Sequence, residues 1–379
     1  MKISVLKERR PYESRVAATP ETIKKLVALG HEIVVESGAG LQAAFPDAHY
    51  EAAGATIAKD MKAALKGAQV VLKVQPPMNK DEGEDEISYL PEGSLLIGIL
   101  SPFKYTSHLK TYAEKKISAF GLEFVPRITR AQVMDVLSSQ SNLAGYRAVI
   151  ETATVLPRAF PMMMTAAGTI APAKVLILGA GVAGLQAVAT AKRLGAIPSA
   201  FDVRAAAKEQ VESLGGKFVT VDSEETGEGT GGYAKEMSAD YQTRQREKIQ
   251  ETMAKSDIVI TTALIPGKPA PRLIDNEMIQ SMRSGSVILD LAVESGGNVE
   301  GSEIGKITEI HGVKVIGYPN LPGRIPTDAS AMYAKNVLSF LSLMMPKDSQ
   351  DFVIPWEDEI IQSSVLTKDG AIIHPQFKA

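Results

Sequence analysis

The apolar run Lys174-Val-Leu-Ile-Leu178 breaks into Gly179-Ala180-Gly181-Val182-Ala183-Gly184, and eighteen residues on a second apolar stretch ends in Asp202. Val175 to Leu178 read as a short buried strand. Gly179 allows the tight turn, Gly181 lets the backbone approach a pyrophosphate, and Gly184 lets the next helix pack close to the strand. Phosphates then rest on the free N–H groups of a helix N-terminus, whose dipole favours anions. Asp202, ending the second strand, is placed to accept hydrogen bonds from an adenosine ribose diol and to repel a 2′-phosphate, so the site reads as NAD(H). Arg204 is a counter-signal, because a nearby arginine can accommodate that phosphate; the carboxylate ranks above it. The expected cofactor-contacting set is Gly179, Ala180, Gly181, Val182, Gly184, Asp202, Val203 and Arg204.

The rest of the chain supplies the frame for this turn. Its 379 residues suggest two or three domains, at roughly 150 residues each. Runs at 3–6, 32–35, 70–74, 95–100 and 117–124 look like strands, with helix-period segments between them. One of these, 20–29, is closed by Gly30. Residues 130–159 read as one long helix or two abutting ones. Six further strands follow, at 174–178, 199–201, 217–221, 257–261, 286–291 and 313–317, and 329–343 returns to a helix. This alternation predicts an α/β protein of two Rossmann-like, doubly wound parallel sheets joined by long helices, one inserted in the other. The expected bounds are 1–135 with 328–379 for the N-terminal domain and 136–327 for the NAD(H)-binding domain. The nicotinamide is expected in the cleft between them, and Ala263 and Leu264, just past the fourth strand of the second set, are expected to line its pocket.

Several classes are disfavoured. A formal net charge of −3 gives no electrostatic case for nucleic acid or anionic membrane. There is no cysteine, and the five histidines are scattered, so no metal is expected. The N-terminal Met-Lys-Ile-Ser-Val-Leu-Lys-Glu-Arg-Arg lacks the apolar core of a signal peptide. No apolar stretch approaches the roughly 20 residues that span a bilayer. The segment Asp222–Asp240, rich in glycine and acids, carries one aromatic, Tyr233. Composition favours a solvated loop; the alternative is a lid over bound nucleotide. Met162-Met163-Met164 reads as core packing.

Lys7-Glu8, then Glu13-x-Arg15-Val16-Ala17-x-x-Pro20, resemble the N-terminal signature of the alanine dehydrogenase/NAD(P) transhydrogenase superfamily, and the glycine turn resembles its second signature. The likeness covers essentially the whole chain. In the alanine dehydrogenases an arginine and a lysine hold the substrate carboxylate while a histidine and an aspartate do acid–base work. Arg15 and Lys73 match the first pair, as relics of a substrate site or as plain ion pairs. Ser101 stands where the histidine is expected and Glu294 where the aspartate is. Serine cannot supply a group titrating near neutrality, which argues against amino-acid dehydrogenation.

The segment from Arg127 to Arg147 resembles a loop in domain I of the proton-translocating transhydrogenases. The resemblance implies that Arg127, Gln132, Asp135 and Ser138 position the nicotinamide end of NAD(H), with Gln132 reaching toward NADP(H) held by a partner. Spacing by three places Gln132, Asp135 and Ser138 on one face of the predicted helix; the plainer alternative is that Arg127 and Asp135 pair and cap that helix. The resemblance further implies a lid role for Tyr233, membrane-spanning and NADP(H)-binding partner subunits, a homodimer, and a place on the cytoplasmic face of a bacterial inner membrane. The rivals are a complete amino-acid dehydrogenase and a non-catalytic NAD-binding module.

Overall fold

In the computed structural model, which describes residues 1–222, 225, 227, 237–346 and 352–378, the chain divides into two units, Met1–Gln140 with Pro322–Ala379 and Ser141–Leu321. The first unit begins with β1 (Lys2–Val5), α1 (Pro20–Ala28), β2 (Glu32–Glu36), α2 (Asp47–Ala52), β3 (Thr56–Ala58), α3 (Met61–Leu65), β4 (Val70–Leu72), β5 (Leu95–Gly98), α4 (Thr106–Glu114) and β6 (Ser118–Gly121). These strands are parallel, in the order β3-β2-β1-β4-β5-β6 of a dinucleotide-binding fold. Alternate residues feed two cores: Ile3, Val5, Leu72 and Ile97 on one face, Val34, Val71 and Leu96 on the other. Burial on both faces is why these strands read as continuous apolar runs. Helix α1 starts cleanly because Thr19 and Thr22 form a capping box with Pro20 in the first turn.

The region expected as a helix from 130 starts differently. Thr129–Met134 is a 3-10 turn, Asp135 is extended (φ −73°, ψ 91°), and the long helix α5 (Val136–Val155) begins after it. A short hairpin follows, β7 (Met163–Thr165) with β8 (Gly168–Ile170). Its methionines are not core: Met162, Met163 and Met164 are exposed, Met164 by 78%. The pattern of three methionines carried no periodicity that could separate a buried run from an exposed edge.

The second unit continues with β9 (Lys174–Leu178), α6 (Val182–Arg193), β10 (Ile197–Phe201), α7 (Ala207–Ser213), β11 (Lys217–Phe218), α8 (Ala239–Met253), β12 (Ile258–Thr261), α9 (Asn276–Gln280), β13 (Val287–Asp290), β14 (Ile307–Ile310) and β15 (Val313–Ile316). Its sheet runs β11-β10-β9-β12-β13-β15-β14, again the dinucleotide-binding order, with β14 added antiparallel at the edge. The chain then returns to the first unit through α10 (Pro326–Ser342), α11 (Glu359–Ser364), β16 (Val365–Lys368) and β17 (Ala371–Ile372). Strand β16 pairs antiparallel with β6 and carries β17 outside it. Among the described residues no helix is long and apolar enough to cross a membrane.

Candidate functional site

The turn after β9 is built by contacts that a side chain would destroy. Gly179 has φ +103°, and a Cβ there would lie 2.4 Å from Thr262 Oγ1. That hydroxyl donates to the carbonyls of Leu178 (3.2 Å) and Gly179 (3.1 Å), tying the turn to the end of β12. A Cβ on Gly184 would sit 1.8 Å from the Gly179 carbonyl oxygen. Gly145 of α5 approaches α6 as closely, its Cβ position being 2.0 Å from the Ala183 carbonyl oxygen. Sequence reasoning missed Gly145, whose only signal is a glycine inside an otherwise helical run.

Gly181 differs from these. A Cβ there would meet no atom of the described residues within 4 Å, so these residues set no demand for glycine. Space beside a helix N-terminus fits close approach of a ligand's phosphates, and the residues present therefore suit a dinucleotide. Val182 opens α6 and is exposed.

Asp202 lies at the end of the adjacent strand β10 and accepts four N–H groups. Ala180 N donates to Oδ2 (2.7 Å), Arg204 N to Oδ1 (2.9 Å), Arg204 Nε to Oδ1 (2.8 Å) and Arg204 NH2 to Oδ2 (2.7 Å). Burial alone would raise this carboxyl, but the bonds from Arg204 and Ala180 outweigh it and hold it below the ordinary range. Arg204, expected as a counter-signal, is thus engaged by the carboxylate it was set against. Val203, between them, accepts from Gly227 N through its carbonyl (2.8 Å).

Past β12, Ala263 is gripped by Asn298, which accepts from its N–H (3.1 Å) and donates to its carbonyl (2.9 Å) and to that of Pro271 (2.8 Å). Asn298 is fully buried and holds the 263–271 segment; nothing in its sequence neighbourhood announced this. Leu264 is half exposed at the C-terminal end of β12, where ligands of such sheets bind. Tyr233 lies outside the described residues.

In the first unit the four expected positions sit around the start of α5. Asp135 caps that helix, accepting from Ser138 N (2.8 Å) and Ser138 Oγ (2.6 Å). Gln132, on the preceding 3-10 turn, is exposed, as is Arg127. Gln132, Asp135 and Ser138 therefore do not share one helix face; the break at Asp135 separates them, and the capping alternative holds for Asp135. Helix α10 braces the segment: Asn336 donates to the Val133 carbonyl (2.8 Å) and accepts from Ser139 Oγ (2.7 Å), and Gln140 donates to the Ala329 carbonyl (3.1 Å).

Arg15 and Lys73 are both buried in ion pairs of the chain's own making. Arg15 forks onto Glu13 through Nε (2.8 Å) and NH2 (2.6 Å) and gives NH1 to Gln140 (2.7 Å). Lys73 Nζ meets Glu86 at 2.8 Å and Glu8 at 3.2 Å, and donates to the Lys7 carbonyl (3.2 Å). Glu8 in turn accepts from Val74 N (2.6 Å) and Gln75 N (3.3 Å). These groups follow β1 and β4, the pair at which the strand order reverses, where a sheet of this kind takes a ligand. Here the charged groups at that position pair with one another.

Ser101 has φ +44° and donates its N–H to Glu123 Oε1 (2.6 Å); Leu100 N donates to Oε2 (3.2 Å). Burial pushes the Glu123 carboxyl from 4.5 up to about 7, with backbone N–H groups opposing it. A carboxyl raised in the folded state stabilises it fully below the unfolded value, and that contribution is lost as pH rises through about 7. Glu123→Gln, which keeps the acceptor and removes the charge, is expected to flatten the fall in stability between pH 5 and 8. Urea midpoints followed by the single tryptophan, Trp356, report on this unit; equal slopes in both proteins would refute the assignment. Glu294, in the expected aspartate position, is exposed and accepts from Asn320 N (2.9 Å).

Residues 4–144 match the family model "Alanine dehydrogenase/PNT, N-terminal domain" and residues 148–375 match "Alanine dehydrogenase/PNT, C-terminal domain". The chain is 56% identical to the first part of NAD(P) transhydrogenase subunit alpha from Rhodospirillum rubrum, over 99% of this chain and 98% of that one. It is 48% identical to the protein of the same description from Rickettsia prowazekii, over 99% and 96%. Its structure superposes on the crystal structure of transhydrogenase from Sinorhizobium meliloti with a TM-score of 0.86 at 47% identity, covering 99% of this chain and all of that one.

Proposed function

This chain belongs to the alanine dehydrogenase/PNT family, and from that premise we propose that it works as a transhydrogenase rather than as an amino-acid dehydrogenase. It is the NAD(H)-binding subunit of an NAD(P) transhydrogenase, active with partner subunits that hold NADP(H). The observation that carries the choice within the family is the closure of Arg15 by Glu13 and of Lys73 by Glu8 and Glu86. Both cations expected to take a substrate carboxylate are already paired within the chain, while the glycine turn of the other unit leaves room for a dinucleotide.

The bound nicotinamide supplies the chemistry, a hydride passing between the C4 carbons of NADH and NADP⁺. No proton moves with it, so no group at Ser101 is required. The chain's task is to bind, orient and exclude water. The α6 N-terminus holds the pyrophosphate, Asp202 the adenosine ribose, and Ala263 and Leu264 contact the nicotinamide. Arg127, Gln132, Asp135 and Ser138 act on the nicotinamide end, with Gln132, which has no side-chain hydrogen bond among the described residues, reaching toward NADP(H). Coupling to proton translocation belongs to membrane-spanning partners, and the chain works at the cytoplasmic face of a bacterial inner membrane.

The test mixes the purified chain with an NADP⁺-loaded partner domain and follows NADPH formation from NADH. Gln132→Asn is expected to slow transfer by about ten-fold or more while NADH affinity changes little. Unchanged transfer would remove Gln132 from the reaction, and turnover of alanine with NAD⁺ by the chain alone would overturn the whole reading.

A second copy of the chain covers the β7–β8 hairpin. Four exposed apolar side chains, Met162, Met163, Met164 and Ile170, are concentrated there, and such a patch favours burial against a partner. Met164→Asp is expected to shift sedimentation from dimer toward monomer at micromolar concentration; a wild-type chain that sediments as a monomer would refute the dimer.

A further inference from the structure

A transhydrogenase accomplishes nothing if both of its sites take the same nucleotide, so the site that holds NAD(H) must reject NADP(H), which differs only by a 2′-phosphate. The only counter-signal in the sequence was Arg204, and the structure shows what becomes of it. Its guanidinium forks onto both oxygens of Asp202, Nε to Oδ1 at 2.8 Å and NH2 to Oδ2 at 2.7 Å. With Ala180 N and Arg204 N added, four donors use the roughly four acceptor positions that a carboxylate offers. Parallel N–H···O pairs of this kind are among the stronger polar contacts and fix a guanidinium in its plane.

We propose that Arg204 is a latent 2′-phosphate ligand that Asp202 keeps out of action, so that one carboxylate excludes NADP(H) twice, by repelling the phosphate and by capturing the neighbouring guanidinium. The proposal rests on reading the β9–α6 turn and Asp202 as the NAD(H) site. It has a corollary for the favoured nucleotide. The two ribose hydroxyls need acceptors that Arg204 now occupies, so binding exchanges at least one guanidinium bond for a ribose O–H. The displaced arm then stays beside the carboxylate, two residues along the chain. An incoming 2′-phosphate brings a charge near −2, and for this arm to neutralise it the guanidinium must leave Asp202, which exposes that carboxylate to the phosphate. Removing the carboxylate converts the arrangement from a guard into a site: the guanidinium remains, planar and always charged, with its fork suited to phosphate.

The experiment is fluorescence titration of the full chain with NADH and with NADPH, for wild type, Asp202→Ala, Asp202→Asn, Arg204→Ala and the double variant D202A/R204A. Circular dichroism confirms that each is folded; Asn keeps an acceptor for Ala180 N, so it carries the test where Ala disturbs the turn. Both Asp202 variants are expected to bind NADH more weakly and NADPH about ten-fold or more tightly than wild type. The double variant is expected to lose that gain in NADPH affinity while matching Asp202→Ala for NADH. Equal NADPH affinity in Asp202→Ala and D202A/R204A overturns the role of Arg204, even where Asp202 proves essential for NADH. Failure of the wild-type chain to bind NADH is a different result, and overturns the reading of the site itself.

Discussion

Replacing Lys73 by methionine is expected to lower the stability of the first unit by about 3–5 kcal/mol, the usual cost of removing one partner from a buried ion pair. Methionine nearly matches the volume of lysine, so the loss is electrostatic rather than a cavity. Lys73 is fully buried against Glu8 and Glu86. Burial disfavours its charge, yet the two carboxylates outweigh that and raise its pKa. Even with Lys73 present, burial pushes Glu8 up to about 7. Without the cation the Glu8 carboxyl moves higher, and the folded state holds a proton that the unfolded chain releases above its ordinary value of 4.5. Raised carboxyl values mean stability that is complete below 4.5 and lost as pH rises through the folded value. The deficit of the variant is therefore expected to be small near pH 5 and to grow toward pH 8. Trp356 is the reporter, since it is the only tryptophan in the chain and stacks on Phe120 of β6 at 6.1 Å. A urea midpoint at pH 8 indistinguishable from wild type would show that the buried pair is not electrostatically coupled to folding.

Gly184→Ala is expected to abolish measurable NADH binding and to lower the melting temperature of the second unit. Its Cβ would lie 1.8 Å from the Gly179 carbonyl oxygen, 2.9 Å from the carbonyl carbon and 3.3 Å from Ile177 Cγ2. Two of these are backbone atoms of the turn, so α6 must lift away from β9 and take its N-terminal N–H groups with it. Gly181→Ala is the companion experiment, with the opposite balance. Its φ of −78° suits alanine and its Cβ meets no atom of the described residues within 4 Å. It is expected to melt with wild type and to lose NADH affinity by about two orders of magnitude, from obstruction of the phosphates alone. Calorimetry and NADH titration separate the cases. If Gly181→Ala binds NADH as wild type does, the pyrophosphate does not pass there.

The parallel strands were legible because burial on both faces writes them as uninterrupted apolar runs; Lys174–Leu178 is found with the expected bounds. Edge strands whose burial is one-sided were not. Strand β14 has the pattern exposed, half-buried, exposed, half-buried, and its turn to β15 uses His311-Gly312, both at positive φ, instead of the Asn-Gly or Asp-Gly that announces a two-residue hairpin. At the C-terminal edge the Asp369-Gly370 turn, with φ of 50° and 82°, did carry that signal between β16 and β17. The start of α5 was also written in the sequence, as Asp135 three residues before Ser138, but a run almost free of glycine and proline hid it. In the candidate site, the glycine turn was legible because Gly179 and Gly184 each have a local steric reason, and Asp202 because it ends the adjacent strand. Asn298 and Gly145 could not, because their partners, at Ala263 and Pro271 and at Ala183, are set by tertiary packing.

The first unit is closed by pieces made far apart in time. Its strands β1–β6 precede residue 141, while α10, whose Tyr333 bonds the Lys73 carbonyl (2.8 Å), and β16, which covers the edge of β6, follow residue 321. On the ribosome the intervening unit emerges whole and is free to fold as it appears. The earlier 140 residues wait for their last helix and strand, about 10–40 s at roughly 5–20 residues per second. Throughout that interval the apolar faces destined for α10 and the edge of β6 stay open, so nascent chains of this protein present chaperones with a sticky N-terminal half beside a finished nucleotide-binding half.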